Sequence, residues 1–262
     1  MSQPAAHTAD WNPTAYARFR DQRLRPALDL LNAIDRMGAG DIYDLGCGSG
    51  TIGEALKARS AGRQVIGVDA SPAMLEKARQ TKFYGSLQQA DLREWMPRST
   101  PGLLFSNAAL HWVGEHEQLM PRLVRMLGKG GTLAVQLPHQ NKAPSHRVWL
   151  SLAEEMFPGR VEKMGTPGVM APVKYEQLLA PMGSFRLWET EYYQRLMAEA
   201  GSHPVRRFTE STYARPVLDA LEPDEKAEII RRYEEVMHAA YPVRDDGSVL
   251  FPFRRLFFTL TV

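Results

Sequence analysis

A glycine-rich turn that directly follows a short apolar run is the feature that most constrains how this chain can fold. Ile42-Tyr43-Asp44-Leu45 has the composition of a buried strand, and Gly46-Cys47-Gly48-Ser49-Gly50 follows it without a break. Alternate glycines permit backbone conformations that a Cβ atom would forbid, and they let the main chain approach a ligand closely. A helix is predicted from about Ile52 to Arg59, and its N-terminus would point at that ligand.

Strands and helices continue to alternate up to about residue 138. Strands are predicted at Val65–Asp69, Gly85–Gln89, Leu103–Ser106 and Thr132–Leu137, and helices at Pro72–Thr81 and Glu117–Leu127. Strands separated by helix-length segments indicate βαβ units. Beyond Pro138 the pattern is mainly helical, apart from strand character at Phe185–Tyr193 and Leu250–Val262. We therefore predict the α/β class, with a doubly wound, mostly parallel seven-stranded sheet and a mainly helical cap.

The length of 262 residues suits one domain with a substantial core. Within this single domain we expect three parts. Residues 1–138 form the nucleotide-type, cofactor-binding half, residues from about 139 to 245 form the helical cap and acceptor region, and residues 246–262 return as the final strand.

Three acidic residues stand at the ends of three successive predicted strands. Asp44 precedes the first glycine by two residues and offers a negative group for an ammonium. Asp69 lies 19 residues beyond Gly50, where a carboxylate can accept both hydroxyls of a ribose. Asp91 is placed to accept the exocyclic amine of an adenine, with backbone contacts from Leu92. Isolated aspartates are usually helix caps or turn formers, but three at one edge of a sheet favour a nucleoside ligand.

A nicotinamide dehydrogenase is the competing interpretation of the same turn. Gly48-Ser49-Gly50-Thr51-Ile52-Gly53 matches the dinucleotide fingerprint, and Asp69 lies about 20 residues further on. This match begins two residues too late for a strand that ends at Leu45. Asp44 would also face a pyrophosphate, which is electrostatically unfavourable. A cofactor with a methionine ammonium, such as S-adenosylmethionine, suits Asp44 better.

Composition and charge narrow the possible partners. The net charge of +2, from 32 basic and 30 acidic residues, argues against nucleic acid as a partner. Cys47 is the only cysteine, which excludes a disulfide within the chain and a cysteine-rich site, and we predict no metal. No apolar run approaches the roughly 20 residues of a membrane span, and the polar start is no secretory signal. We expect a cytoplasmic protein that acts on a small molecule, and we leave the oligomeric state open.

The quoted residues resemble the class I methyltransferases and, more narrowly, the trans-aconitate 2-methyltransferase family. The resemblance covers nearly the whole chain. Besides the glycine turn it rests on Asp10-Trp11-Asn12-Pro13, Gly67–Met74, Ala90-Asp91-Leu92, Ser106–Trp112, Leu133–Pro138 and Pro252–Phe257. It implies methyl transfer from S-adenosylmethionine to a carboxylate oxygen of a small polycarboxylic acid, which gives a monomethyl ester.

The resemblance and the residue chemistry together suggest a set of cofactor-binding residues. Arg23 could hold the carboxylate of the cofactor's methionyl group, with Tyr16 and Trp11 closing over it. The predicted set is Trp11, Tyr16, Arg23, Asp44, Gly46, Cys47, Gly48, Asp69, Ala70, Met74, Asp91, Leu92 and Asn107.

A carboxylate acceptor is already ionised at pH 7, so it needs positive charge to hold it and not a base. The predicted acceptor-binding residues are Tyr193, Tyr213, Arg215 and Arg255. His111 follows the fourth strand, where it could orient the acceptor or act as a base toward a hydroxyl or amine. A histidine beside a tryptophan is more often a packed structural residue.

One departure from the family pattern lies in the predicted cap. The family motif Thr-Gly-Leu-Arg-Pro reads here Thr212-Tyr213-Ala214-Arg215-Pro216, which adds a ring near the presumed acceptor pocket. Two alternatives therefore stay open. One is a methyltransferase of the same fold that acts on a natural-product hydroxyl, amine or carbon. The other is a protein that keeps the cofactor pocket without transferring a methyl group.

Overall fold

The computed structural model describes residues 20–161, 168–199, 201–210 and 212–262. The strands are β1 (Asp41–Leu45), β2 (Val65–Asp69), β3 (Ser86–Gln89), β4 (Pro101–Asn107), β5 (Thr132–Pro138), β6 (Ser184–Met197) and β7 (Ser248–Thr261). The α-helices are α1 (Arg20–Asn32), α2 (Gly53–Ala58), α3 (Pro72–Thr81), α4 (His116–Arg125), α5 (Pro144–Met156), α6 (Pro172–Leu179), α7 (Pro204–Glu210), α8 (Arg215–Asp219) and α9 (Pro223–Ala240). Short 3-10 helices occupy Leu110–Trp112 and Ala180–Met182.

The seven strands form one sheet in the order β3-β2-β1-β4-β5-β7-β6. Strands β1 to β5 pair in parallel, which confirms the predicted α/β fold with a mostly parallel sheet. The order extends from β1 toward β3 on one side and from β4 toward β6 on the other. Ligands of such sheets bind outside the carboxyl ends of the strands at this switch point. The relevant edge is therefore where β1 ends at Leu45 and β4 ends at Asn107.

The central strands are apolar on both faces, as parallel strands covered by helices must be. Nearly every residue of β1, β2, β4 and β5 is buried. The last strand is equally buried, with Phe257, Phe258 and Leu260 fully inaccessible to solvent. Backbone hydrogen bonds between Val262 and the turn at Gly130 and Gly131 hold the end of this strand.

The chain divides into two compact units. The first comprises the described residues up to Leu137 together with Met170–Trp188 and Leu256–Val262, and the second comprises those of Pro138–Val169 and Glu189–Arg255. The predicted cap region overlaps most of the second unit, but α6 belongs to the first. There Tyr175 of α6 is buried against Phe258, with ring centroids 5.1 Å apart.

The second unit has an aromatic core of its own. Trp149 stacks on Tyr233 with ring centroids 3.8 Å apart. Its indole N–H donates to Oγ1 of Thr209 at 3.0 Å, and the Tyr233 hydroxyl donates to the carbonyl of Ser145 at 2.8 Å. Helix α5 is thereby joined to α7 and α9. In the part of the chain that the structure describes, every helix is too short or too polar to cross a bilayer.

Candidate functional site

The glycine turn is bound to the end of β2 through its backbone. The N–H groups of Gly46 and Cys47 both donate to the carbonyl of Val68, at 2.7 and 3.0 Å. Gly46 has φ +72°, and a Cβ atom there would collide with the side chain of Ala109. Gly48 has φ +53°, but no atom lies within 4 Å of the position that its Cβ would take. Packing therefore requires glycine at position 46, whereas Gly48 faces open space from which a ligand can approach the backbone.

Asp69 lies at this turn, where the sequence analysis expected it. Its Oδ2 accepts a hydrogen bond from the N–H of Gly48 at 2.8 Å, and its Oδ1 accepts one from the N–H of Ser71 at 2.9 Å. Asp69 therefore holds the turn and presents a carboxylate at the end of β2, the position from which nucleotide-binding folds contact ribose hydroxyls.

Asp44 is buried directly beneath the turn, with 1% of its surface exposed. Its Oδ2 accepts a hydrogen bond from the hydroxyl of Tyr84 at 2.7 Å. The pKa of Asp44 is raised to about 7, mainly by burial and to a smaller extent by the nearby charge of Asp69, while the hydrogen bond from Tyr84 lowers it. A positive group placed beside Asp44 would favour its ionised form. Burial also raises the pKa of the Cys47 thiol well above its usual value, which makes it a poor nucleophile.

Tyr84 is the residue of this turn that sequence reasoning missed. Its ring lies so close that a Cβ atom on Gly50 or Gly53 would approach it to 2.9 or 2.7 Å. Burial raises the pKa of Tyr84 well above its usual value, so the hydroxyl keeps the proton that it donates to Asp44. In the sequence, Tyr84 is recognisable only as a tyrosine just before a predicted strand. Tyrosines in such positions are too common to indicate a binding site.

Asp91 is engaged by a neighbour that the sequence analysis did not consider. The backbone N–H of Arg93 donates to Oδ1 at 2.9 Å, and its guanidinium Nε donates to Oδ2 at 2.9 Å. These hydrogen bonds lower the pKa of Asp91. In this structure Asp91 is thus a turn former. Leu92 is buried, and its carbonyl accepts a bond from the guanidinium of Arg122.

The loop after β4 carries His111, which lies in the 3-10 helix Leu110–Trp112 and is 6% exposed. Its ring lies 5.0 Å from that of Trp112. Nε2 of His116 contacts the carbonyl of Leu110 at 2.8 Å, and Nδ1 contacts the hydroxyl of Tyr175. Burial lowers the pKa of His116, so the imidazole is neutral at pH 7. It donates to Leu110 and accepts from Tyr175, and the pair anchors the His111 loop.

The second unit brings Tyr213 and Arg255 together around two other rings. Arg255 is 4% exposed, and its guanidinium carbon lies 4.3 Å from the ring centroid of Phe253. The ring of His146 lies 4.5 Å from that of Tyr213 and 5.8 Å from that of Phe253. Burial, aided by the charge of Arg255, lowers the pKa of His146 to about 3. Arg255 therefore has a neutral, aromatic surrounding in these contacts.

The other two predicted acceptor residues lie elsewhere on the second unit. Tyr193 is 64% exposed, because the alternation of β6 buries Gln194 and Leu196 instead. Arg215 begins α8, and its Nε lies 3.5 Å from Oδ2 of Asp219 one helical turn later.

The remaining predictions are placed only in part. Trp11 and Tyr16 lie outside the described residues, and Arg23 lies on α1. Ala70 is exposed, whereas Met74 is buried on α3, where its N–H donates to Oγ of Ser71 at 3.2 Å. Among the described residues, no group of three or more His, Cys, Asp or Glu side chains could hold a metal ion.

Comparison with known proteins identifies the family. Residues 43–135 match the Methyltransf_11 family, a methyltransferase domain. The chain is 40% identical over 256 residues to the trans-aconitate 2-methyltransferase of Paracidovorax citrulli, with 95% of this chain and 96% of that protein covered.

Two solved structures show the same fold at low sequence identity. The YcgJ protein of Bacillus subtilis is 12% identical with a TM-score of 0.57, over 90% of this chain and 98% of that chain. Phosphoethanolamine N-methyltransferase 2 of Haemonchus contortus, solved with S-adenosylhomocysteine, is 17% identical with a TM-score of 0.51, over 90% of this chain and 52% of that chain. The sequence match, unlike these folds, also decides against the dehydrogenase interpretation and confirms the resemblance. This chain belongs to the trans-aconitate 2-methyltransferase family.

Proposed function

We propose that this protein transfers the methyl group of S-adenosylmethionine to a carboxylate oxygen of trans-aconitate and so forms a monomethyl ester. Similarity over nearly the full length to a protein of that name supports the acceptor. The structural observation that carries the cofactor assignment is the open face of Gly48, whose backbone N–H is bonded to the carboxylate of Asp69.

The residues at the turn fit this cofactor. Asp69 lies at the end of β2, where a carboxylate contacts ribose hydroxyls in nucleotide-binding folds, and the buried Asp44 suits the ammonium of the methionyl group. The open space beside Gly48 allows a ligand to approach the backbone closely. When bound, the cofactor supplies a methyl group activated by a positively charged sulfur. Asp91, with Leu92 beside it, is proposed to contact the adenine by exchanging part of its hydrogen bonding with Arg93.

A carboxylate acceptor needs orientation more than a base, because it is already a nucleophile at pH 7. We assign the anion-binding role to Arg255 and Arg215 of the second unit. The guanidinium of Arg255 lies over the ring of Phe253, and a guanidinium can bind a carboxylate through two parallel hydrogen bonds. His111 would orient the acceptor from the loop after β4. The proposed partner is therefore a small anionic molecule.

The departure at Tyr213 gives the alternative acceptors little support. Its ring is buried against His146, and burial raises the pKa of its hydroxyl to about 12. Tyr213 therefore brings a neutral ring and no new charge to the second unit, which gives no reason to replace a carboxylate acceptor by another class.

The test is incubation of the purified protein with methyl-labelled S-adenosylmethionine and a panel of acceptors. The panel contains trans-aconitate, cis-aconitate, citrate, and representative phenols and amines. We expect label in trans-aconitate as a base-labile ester. Label only in a phenol or amine would establish the alternative acceptor class. Calorimetric binding of S-adenosylhomocysteine without any transfer would indicate a binding protein instead.

A further inference from the structure

Gln136 of β5 is completely buried, with no solvent exposure. In the part of the chain that the structure describes, neither Nε2 nor Oε1 of this side chain has a hydrogen-bond partner. Asn107 is its register partner on β4, and the side-chain Oδ1 of Asn107 is likewise buried and unpartnered. Two neighbouring amides at the carboxyl edge of the sheet thus have unused hydrogen-bonding capacity.

Such an arrangement costs free energy, because burying an amide without a partner forfeits its hydrogen bonds to water. Gln140, another buried glutamine of this chain, shows the ordinary solution. Its Nε2 donates to the carbonyl of Pro252 at 2.8 Å, and its Oε1 accepts from the N–H of Arg254 at 3.1 Å. Packing alone therefore gives no reason for an amide at position 136, because an apolar side chain there would give the folded protein a lower free energy.

The strand register places Gln136 near the proposed site. Asn107 is paired with Gln136, and Phe105, two residues earlier, is paired with Asp44. Side chains two residues apart point to the same face, so both amides share the face that carries Asp44. The carbonyl of Gln136 also accepts the N–H of Ala108, at the start of the His111 loop, at 3.0 Å.

The cofactor residues lie at the ends of β1 and β2, whereas Gln136 lies two strands beyond β1, about 10 Å across the sheet. Gln136 therefore lies across the switch point from the proposed cofactor residues and next to the loop that carries His111. A glutamine amide offers N–H donors that can bond a carboxylate oxygen. A half-turn of the Asn107 amide would present its N–H2 group at the same place.

We propose that Gln136, assisted by Asn107, is a specificity residue that binds a carboxylate of the methyl acceptor. This inference rests on the proposed function. If the buried amide serves binding, it lowers the stability of the folded protein. Replacing it with an apolar side chain should therefore increase the stability and decrease the affinity for the acceptor.

The test is Gln136→Met, which keeps the length of the side chain and removes its hydrogen bonds. We expect the unfolding temperature to rise by about 2–4 °C. The KM for trans-aconitate should rise at least about tenfold, since hydrogen bonds to a charged group are lost. The calorimetric Kd for S-adenosylhomocysteine should change less than about twofold. Gln140→Met is the matched control, and it should lower the unfolding temperature because it leaves two backbone groups unpaired.

Gln136→Asn keeps an amide but retracts it by one methylene, so it should fold and give a smaller rise in KM. A lower unfolding temperature in Gln136→Met together with an unchanged KM would overturn the inference while the proposed function stands. If the wild-type protein does not methylate trans-aconitate at all, the proposed function fails and this inference fails with it.

Discussion

At the scale of single residues, the glycines of the turn after β1 serve different purposes. Gly46 is required by its positive φ and by the side chain of Ala109, and Gly50 makes room for the ring of Tyr84. Gly48 has a positive φ but open space beside it. The three glycines look equivalent in the sequence, yet only Gly48 has a free face toward a ligand.

Gly48→Ala should therefore impair cofactor binding far more than folding. The left-handed φ costs an alanine about 1 kcal/mol of stability. The added methyl group would occupy the ligand's approach, and we expect the Kd for S-adenosylhomocysteine to rise at least tenfold in calorimetry. Gly130→Ala is the matched control, because Gly130 has φ +72° and an equally open Cβ position. It should lose similar stability and keep its Kd; equal Kd values in both variants would refute the assignment.

Asp44 should make cofactor binding depend on pH. Its pKa of about 7 means that the carboxyl is mostly protonated at pH 5.5, whereas an ammonium favours the ionised form. As the pH increases toward 7, the affinity for S-adenosylhomocysteine should increase by up to about tenfold per pH unit. Above pH 7 the affinity should stay constant. Calorimetry in buffers of different ionisation enthalpy should detect proton release at pH 6. Asp44→Asn should abolish both effects, and a flat wild-type profile would contradict the assignment.

The same shift has a consequence for stability. The pKa of Asp44 in the folded protein is raised above its ordinary value of 3.8, so the folded state binds the Asp44 proton more tightly than the unfolded state. The contribution of this tighter proton binding to the free energy of unfolding is fully present below pH 3.8. It is lost as the pH rises through about 7. The free energy of unfolding of Asp44→Asn should consequently fall less than that of the wild type between pH 4 and pH 8.

At the scale of elements, the loop carrying His111 depends on a partner from a distant helix. His116, at the start of α4, bridges the carbonyl of Leu110 and the hydroxyl of Tyr175 on α6. Because both ring nitrogens of the neutral imidazole are satisfied, the 3-10 turn that holds His111 has a fixed support. A substitution in α6 that removes the Tyr175 hydroxyl should accordingly weaken the support of the loop after β4.

Tyr175→Phe should lower the stability by about 1–3 kcal/mol, because it leaves Nδ1 of His116 buried without a donor. We expect kcat to fall while the Kd for S-adenosylhomocysteine stays within about twofold. Tyr43→Phe is the matched control, since Tyr43 is also fully buried and its hydroxyl contacts Oγ of Ser99 at 2.8 Å. It should lose stability but keep its kcat. Equal kcat in the two variants would show that the loop does not need this support.

At the scale of the whole molecule, the sheet is completed by residues from the far end of the sequence. Leu256–Val262 belongs to the same compact unit as the glycine turn, and β7 lies between β5 and β6 in the sheet. Cofactor binding should therefore depend on a segment that contains none of the predicted cofactor residues.

Deletion of Leu256–Val262 should abolish cooperative folding and S-adenosylhomocysteine binding, because it removes the carboxyl-terminal part of the interior strand β7 with the fully buried Phe257, Phe258 and Leu260. Circular dichroism during thermal unfolding and calorimetry would measure both losses. Val262→Ala should leave both nearly intact, since this residue is 38% exposed and its backbone bonds persist. A truncated chain that still binds would show that the glycine turn folds without this strand.

The order of elements, the parallel sheet, the glycine turn and the position of Asp69 could all be determined from the sequence by itself. Each is encoded in a short window: burial of both faces makes a strand apolar, helical spacing marks a helix, and positive φ demands glycine. The predicted α3 agrees with the observed Pro72–Thr81 for this reason.

Only the tertiary structure decided which side chains meet. Tyr84 bonds Asp44 across 40 residues, and Tyr175 bonds His116 across 59. The unpartnered amide of Gln136 and the exposure of Tyr193 likewise depend on what surrounds each side chain. Hydrogen bonding and burial are set by neighbours that folding brings together from distant parts of the chain, and no local pattern records them.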